Sequence, residues 1–375
     1  MFQSDHGYSS GFLSLILAMV VSYGFADEID DEVHTEIPSD QADSVRIYRT
    51  RDEQREAGLQ REITPWLTLS GLLEGEVLSA RFDPRERHPD IKASESNATL
   101  QLGLIADLFA LAEAEVIVEY DTDLDKFVAD EAIITFEYEP WELSLGKQYT
   151  PFGVYFSHFV SGPLLEFGET RSRKTAILTY GPSDEFDLSL ALYRGRATAL
   201  GNDAEEWDWA VGFEAWPTDN FSFGLSYQSD LADADERLLE EEDDRYTDRV
   251  SGISGYLLLV SKQFEFSFEL VTATDYFREL EKHQNRPMAW NAELAYFFPK
   301  SQFELAIRFE ESRELADAAK YQYGLAVTRY EGKHASLTLE YLHGQFEAGS
   351  FDIELDDDIP IQHVHTVSAK VTIEF

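Results

Sequence analysis

The chain has 375 residues, with 72 Asp and Glu against 30 Lys and Arg, for a formal net charge of -42, and it contains no cysteine. Thiol catalysis, disulfides and thiolate metal sites are therefore excluded, and so large an acidic excess argues against binding nucleic-acid phosphates. Beyond the first residues there is no apolar run of about 18, so no transmembrane helix is available.

At the N-terminus, Phe12 to Val21 forms an apolar core, and Gly24 and Ala26 place small residues just before Asp27. This pattern predicts a signal peptide over residues 1–26 with cleavage after Ala26, although Asp5 stands where Lys or Arg is usual. Residues 27–63 read as a polar periplasmic leader, acidic and disordered to residue 43. From Ser44 to Glu62, Arg46, Arg49, Arg51, Arg55 and Arg61 alternate with acids. That composition suits a short solvated helix, or a small plug docking into an acidic barrel mouth.

From residue 64 to 375, apolar residues recur at every second position in sixteen segments. Each is a strand with one greasy and one wet face. In chain order the greasy faces carry Leu67, Leu69, Leu73 and Val77; Ala98 to Leu104; Ala112 to Tyr120; Ala132 to Tyr138; and Trp141, Leu143 and Leu145. Ala176 to Tyr180, Phe186 to Leu192, Trp209 to Ala215 and Phe221 to Tyr227 follow. A tenth strand over Gly252 to Val260 has ambiguous parity, and then come Phe264 to Leu270, Trp290 to Tyr296, Phe303 to Phe309, Tyr321 to Val327, Leu337 to Tyr341 and His365 to Phe375. Seven short connections alternate with eight long ones, near residues 81–96, 121–129, 150–174, 194–206, 230–249, 275–288, 310–319 and 343–363.

An even strand count with alternating connections predicts an all-β fold: a closed antiparallel transmembrane β-barrel in a bacterial outer membrane, with short periplasmic turns and long extracellular loops. A secreted β-sandwich would show the same alternation. The barrel is favoured because Trp66, Tyr138, Trp141, Tyr180, Phe186, Phe221, Phe264, Phe298, Phe303 and Phe375 flank the short turns, as an interfacial girdle should. The expected partners are outer-membrane lipid, a small solute and, through the C-terminal strand, the barrel-assembly machinery.

The wet faces carry an excess of glutamates, among them Glu113, Glu115, Glu137, Glu269, Glu293 and Glu340, against few cations such as Arg308 and Lys370. An acidic, water-filled lumen concentrates cations and repels anions. Acidic loop tips, Leu239 to Asp244 and Asp356 to Asp358, offer hard oxygens without the ligand spacing of a defined calcium loop. His363 and His365 stand two apart on a strand with no third ligand in view, so neither a metal nor a cofactor is expected. His158, between Ser157 and Ser161, is the one suggestive cluster for nucleophilic chemistry, and it lacks an orienting partner in sequence, so no enzyme activity is expected.

The loop from Gly146 to Lys174 is too aromatic for a plain surface connection and is expected to fold inward or pack on the rim. Gly146-Lys-Gln-Tyr149, Pro151-Phe-Gly153 and Leu165-Glu-Phe-Gly-Glu-Thr-Arg171 resemble the signature of the LbtU family of siderophore porins, outer-membrane proteins related to the legiobactin receptor. The resemblance covers most of residues 64 to 375. It implies a sixteen-stranded barrel that passes a ferric siderophore without the large N-terminal plug domain of energised receptors. It departs from the family in the leader, where members often carry a coiled coil. On this reading Lys147, Gln148, Tyr149, Phe152, Glu166, Glu169 and Arg171 form the recognising constriction. The competing reading is a general, cation-preferring diffusion porin.

Overall fold

The computed structural model describes residues 60–375 apart from 86–87, 123–125, 184, 200–205, 236–237, 240–244, 333, 349 and 355–357. The expected signal peptide, nearly all of the leader and most of both acidic loop tips lie outside the described residues.

Sixteen strands form the wall: β1 Leu67–Pro84, β2 Ile91–Phe109, β3 Ala112–Asp121, β4 Lys126–Tyr138, β5 Trp141–Tyr149, β6 Arg171–Ser183, β7 Phe186–Arg194 and β8 Trp207–Thr218; then β9 Phe221–Gln228, β10 Gly252–Ser261, β11 Phe264–Ala273, β12 Met288–Phe298, β13 Phe303–Arg313, β14 Tyr321–Glu331, β15 Ala335–Gln345 and β16 Asp358–Glu374. Each strand pairs antiparallel with its sequence neighbours, and β16 closes the cylinder against β1 through pairs such as Leu73 with Ile373. Short strands Arg61–Thr64 and Asp352–Glu354 extend this sheet at the two ends. Closure leaves no unpaired edge, which is the condition for placing a sheet in hydrocarbon.

The predicted parity holds around the wall. Leu104, Ile134, Leu145, Leu190, Leu225, Leu294, Ile307, Leu325 and Leu339 are all exposed on the outer surface, whereas Glu269, Glu293, Glu304 and Glu340 point inward and are buried. An apolar belt outside a polar lumen makes this an integral outer-membrane protein. Aromatic pairs reinforce the belt near the short turns, with Trp141 and Tyr180, and Phe264 and Tyr296, each at 4.6 Å between ring centroids.

For β10 the neighbours decide what the sequence leaves ambiguous. Phe223 pairs with Leu257 and Tyr227 with Ile253, so the odd-numbered residues join the lipid face of β9. Tyr256, Leu258 and Val260 then line the interior. The first hairpin and the last strand run farther than the apolar alternation indicates, with 18, 19 and 17 residues in β1, β2 and β16. Their outer portions include the exposed polar run Lys92 to Ser96, where ladder hydrogen bonds continue after the apolar signal has faded.

In unfolding measurements in lipid vesicles, Leu339→Arg and Leu257→Arg should each cost about 2–4 kcal/mol if near the midplane, while Leu258→Arg, facing water, should be tolerated. Equal losses at Leu257 and Leu258 would reverse the parity assigned to β10.

Candidate constriction loop

The connection from Thr150 to Thr170, between β5 and β6, turns into the barrel and runs along the inside of the wall. A backbone bond from Thr150 N to Thr170 O at 2.9 Å closes its neck, and the buried Gln228 side chain ties both threonine hydroxyls. The strand feeding it is bent at Gly146, whose φ is 149° and where a Cβ would sit 2.0 Å from the Ala132 carbonyl oxygen. No other residue fits that approach.

A loop in this position carries backbone N–H groups that no sheet neighbour can accept. The lumen glutamates accept them instead. Glu269 on β11 takes Val154 N at 2.7 Å and Tyr155 N at 2.8 Å. Glu293 on β12 takes the Ser157 hydroxyl and His158 N, both at 2.9 Å. Glu340 on β15 takes Ser161 N at 2.9 Å and its hydroxyl at 2.6 Å, and Glu310 on β13 takes Leu164 N at 2.7 Å. The loop is thus held at four wall strands, reaching from β11 and β12 across to β15 and back to β13, each bond charge-assisted.

Two cations balance the row. Arg308 on β13, fully buried, donates to Glu293 at 2.8 Å and to the carbonyls of Ser161 at 2.9 Å and Gly162 at 3.2 Å, with a further short contact to the Ser157 hydroxyl. Its guanidinium also lies 4.3 Å from the Phe159 ring centre. On β14 the facing position is Gly324, where a Cβ would come 2.3 Å from Leu342 Cδ2, 2.7 Å from the Tyr341 carbonyl oxygen and 2.9 Å from the Phe159 ring, so a side chain there would press on both β15 and the loop. His158 sets Nδ1 2.8 Å from Glu304 and Nε2 3.1 Å from Glu265. A neutral imidazole donates from one nitrogen only, so the doubly donating imidazolium satisfies both carboxylates. The cluster that hinted at nucleophilic chemistry is thereby an ionic bolt, with Ser157 committed to Glu293 and Arg308.

Beyond Pro163 the chain makes a 3₁₀ turn, Leu164–Gly168, whose Leu165 and Phe167 pack with Phe152, Tyr155, Leu231 and Val271. This cluster seals the loop to the segments that follow β9 and β11. It divides the lumen. Toward the short turns lies a cavity of about 1280 Å³, roofed by Thr150, Pro151, Gly153, Val154 and His158. One side carries Glu113, Glu115, Glu131 and Glu142, and the other carries Trp216, Tyr256, Leu258 and Phe297. Toward the long loops lies a smaller cavity of about 470 Å³ bordered by Glu166, Leu238, Leu280, Gln284 and Glu314.

The seven residues expected to form one constriction are distributed across this architecture. Gln148 and Tyr149 border the larger cavity, and the buried Gln148 amide nitrogen has no hydrogen-bond partner. Phe152 is fully buried and packs the loop instead of facing solute. Glu166 borders the smaller cavity. Arg171 stacks 5.1 Å over Tyr149 and pairs with Asp130 and Asp235, not with Glu166 or Glu169, while the Glu169 carbonyl accepts Asp235 N at 2.7 Å. Lys147 lies opposite Ala132, on the parity of exposed Ile134 and Phe136, and its ammonium donates to the Ala129 carbonyl.

The wall glutamates are likewise split. Glu113 and Glu115 face the larger cavity, Glu137 is exposed at the end of β4 opposite Glu142, and Glu269, Glu293 and Glu340 hold the loop. Asp130, Asp235, Gln228 and Glu310 are functional partners that sequence reasoning missed. Only Glu310 had a signal, since strand alternation continued through Arg308 places it inward.

Hydrogen exchange should show the amides of Val154, Tyr155, His158, Ser161 and Leu164 protected although none lies in a strand. Glu269→Ala should speed exchange at Val154 and Tyr155 by about 10- to 100-fold, the equivalent of about 1.5–3 kcal/mol for a bond to a charged group, while Leu164 stays protected.

No family model matches the chain. The UPF0422 protein of Coxiella burnetii (strain RSA 493 / Nine Mile phase I) is 26% identical over 277 residues, covering 67% of this chain and 57% of that protein, so the chain spans little more than half of that relative's length. Among solved structures, the barrel is similar to the anion-selective porin from Comamonas acidovorans, with a TM-score of 0.58 and 12% identity over 82% of this chain and 99% of that one. It is also similar to Salmonella typhi OmpF in complex with daunomycin, with a TM-score of 0.57 and 12% identity over 84% and 100% of the two chains. A loop L8 deletion mutant of OmpT, an outer membrane protein of Vibrio cholerae, gives 0.53 and 14% over 82% and 99%. At these identities the likeness is one of fold, and the fold is that of a porin-like outer-membrane barrel.

Proposed function

We propose that the protein is an outer-membrane uptake channel for a ferric siderophore, in which the inward loop acts as a fixed filter. The observation that carries this reading is the ladder of wall carboxylates gripping the loop, which fixes it in one shape between two cavities. A bulky polar chelate is discriminated by such a place, with apolar surface and a few set polar groups. The larger cavity offers both, with Tyr256, Leu258 and Trp216 across from Glu113, Glu115 and Gln148. The loop motifs that resemble LbtU-type siderophore porins, Gly146 to Gly153 and Leu165 to Arg171, are the segments that start and finish the filter. Within it, Gln148, Tyr149 and Glu166 are the candidates for solute contact, and Arg171 and Glu169 position the loop through Asp235.

A general cation-preferring diffusion porin is the second reading, favoured by the acidic side of the larger cavity. Replacing residues 152–168 by a short Gly-Ser linker should leave a folded, heat-modifiable barrel with higher ion conductance and no siderophore-dependent uptake of radiolabelled iron. Uptake that persists unchanged in that variant would shift the assignment to the general porin.

In planar bilayers the wild-type channel should prefer potassium over chloride at low salt, and the preference should fade as screening shortens to about 10 Å at 0.1 M and below. Glu113→Gln with Glu115→Gln should weaken it, whereas Glu269, Glu293 and Glu340 are committed to the loop. A chloride preference at low salt would overturn the acidic-cavity argument.

A further inference from the structure

Three aspartates converge beside the constriction loop on the extracellular side of the barrel. Asp208 on β8, and Asp230 and Asp233 in the segment after β9, are all buried, and each presents an oxygen within 4.8 Å of the others. A group of oxygens that compact can all reach one ion at the roughly 2.3–2.6 Å typical of calcium.

The hydrogen bonds leave part of this cluster unused. Asp233 Oδ1 accepts Arg196 N at 2.7 Å and Ala197 N at 2.9 Å, and Asp230 Oδ1 accepts Ala232 N at 3.0 Å. The second oxygens, Asp233 Oδ2 and Asp230 Oδ2, are buried without a hydrogen-bond partner, and Arg249 Nε stays 3.9 Å from the latter. An independent group points to the same place. Tyr193, opposite Asp208 in the β7–β8 ladder, has no exposed surface, and its hydroxyl has no partner.

Charge completes the argument. Arg249 serves Glu206 at 2.6 Å and Asp208 at 3.2 Å, and the Arg196 guanidinium donates to the Ala234 carbonyl at 2.7 Å. Among the described residues, Glu206, Asp208, Asp230 and Asp233 stand against these two cations, so two negative charges are left over around the buried aspartates. Such charge must be paired or neutralised.

We propose that Asp208, Asp230 and Asp233, with the Tyr193 hydroxyl, form a calcium site that clamps the segment after β9 onto the wall. Four hard oxygen donors and two surplus negative charges match a divalent hard cation. The clamped segment is the one that touches the filter. Leu231 packs with Phe152, Leu165 and Phe167, and Asp235 accepts Arg171 N at 3.1 Å while donating its own N–H to Glu169 O. Ion occupancy would therefore stiffen the filter from its outer side, without calcium entering the permeation path.

The test uses the full chain in detergent, stripped with EDTA and titrated with calcium chloride by calorimetry, with thermal unfolding followed in parallel. Calcium should bind and raise the unfolding temperature, and Asp230→Asn with Asp233→Asn should weaken binding by about tenfold or more. Tyr193→Phe, which keeps the shape of the site, should weaken it by a smaller factor. No heat and no thermal shift in the wild-type barrel would overturn the site. Binding that is equally tight in folded Tyr193→Phe and in the double variant would place calcium elsewhere and overturn it too.

Discussion

The structure depends on one kind of bond, a backbone N–H of the inner loop donating to a wall carboxylate. A 21-residue connection drawn into a closed barrel loses water from part of its main chain, and each unsatisfied buried donor costs about 1–3 kcal/mol. Polar alcohol or amide side chains on the wall would satisfy one donor apiece. A carboxylate presents two acceptor oxygens and can take two, as Glu269, Glu293 and Glu340 each do. The glutamate-rich interior is first a docking surface for the protein's own loop.

That role brings its own electrostatic problem. Carboxylates crowded on adjacent strands repel one another, and their attraction to amide dipoles does not cancel a full charge. Arg308 and His158 supply the compensation from opposite sides, one rooted in the wall and one in the loop. Because each partner belongs to a different element, the bolt holds only when the loop is seated, and the loop in turn shields the bolt from water. Pairs of this kind fix geometry more than they add stability.

Geometry is what a filter needs. A loop held at four strands cannot drift with solute, so on the proposed reading selection would rest on shape and on the few side chains that reach the cavities. On the proposed reading, charge selectivity falls to the carboxylates of the larger cavity that the loop does not use, Glu113, Glu115, Glu131 and Glu142 on β3 to β5 together with Asp107, Asp187 and Glu214 on β2, β7 and β8. Trp216, Tyr256, Leu258 and Phe297 on β8 to β12 add aromatic and aliphatic surface among acids such as Glu214, so a solute in this space would meet both. The outer loop segments meanwhile pack on the filter through Leu231 and Asp235, which links its rigidity to the extracellular rim.

The barrel was legible from the chain alone because alternation with period two is a local property: Leu339 and Glu340 must face opposite sides wherever the strand lies. Strand number and membrane placement follow from such local signals, whereas the aromatic loop between residues 146 and 174 could by the same signals turn inward or pack on the rim. What each inward glutamate does is not local. Glu269 meets Val154 across 115 positions and Glu340 meets Ser161 across 179, so no spacing along the chain distinguishes a loop anchor from a lumen charge such as Glu113. The same limit separated Phe152, buried as packing, from Gln148, which borders the cavity four positions earlier. For β10, with apolar residues on both faces, even the parity waited on its neighbours, since only the ladder with β9 could choose which side met lipid.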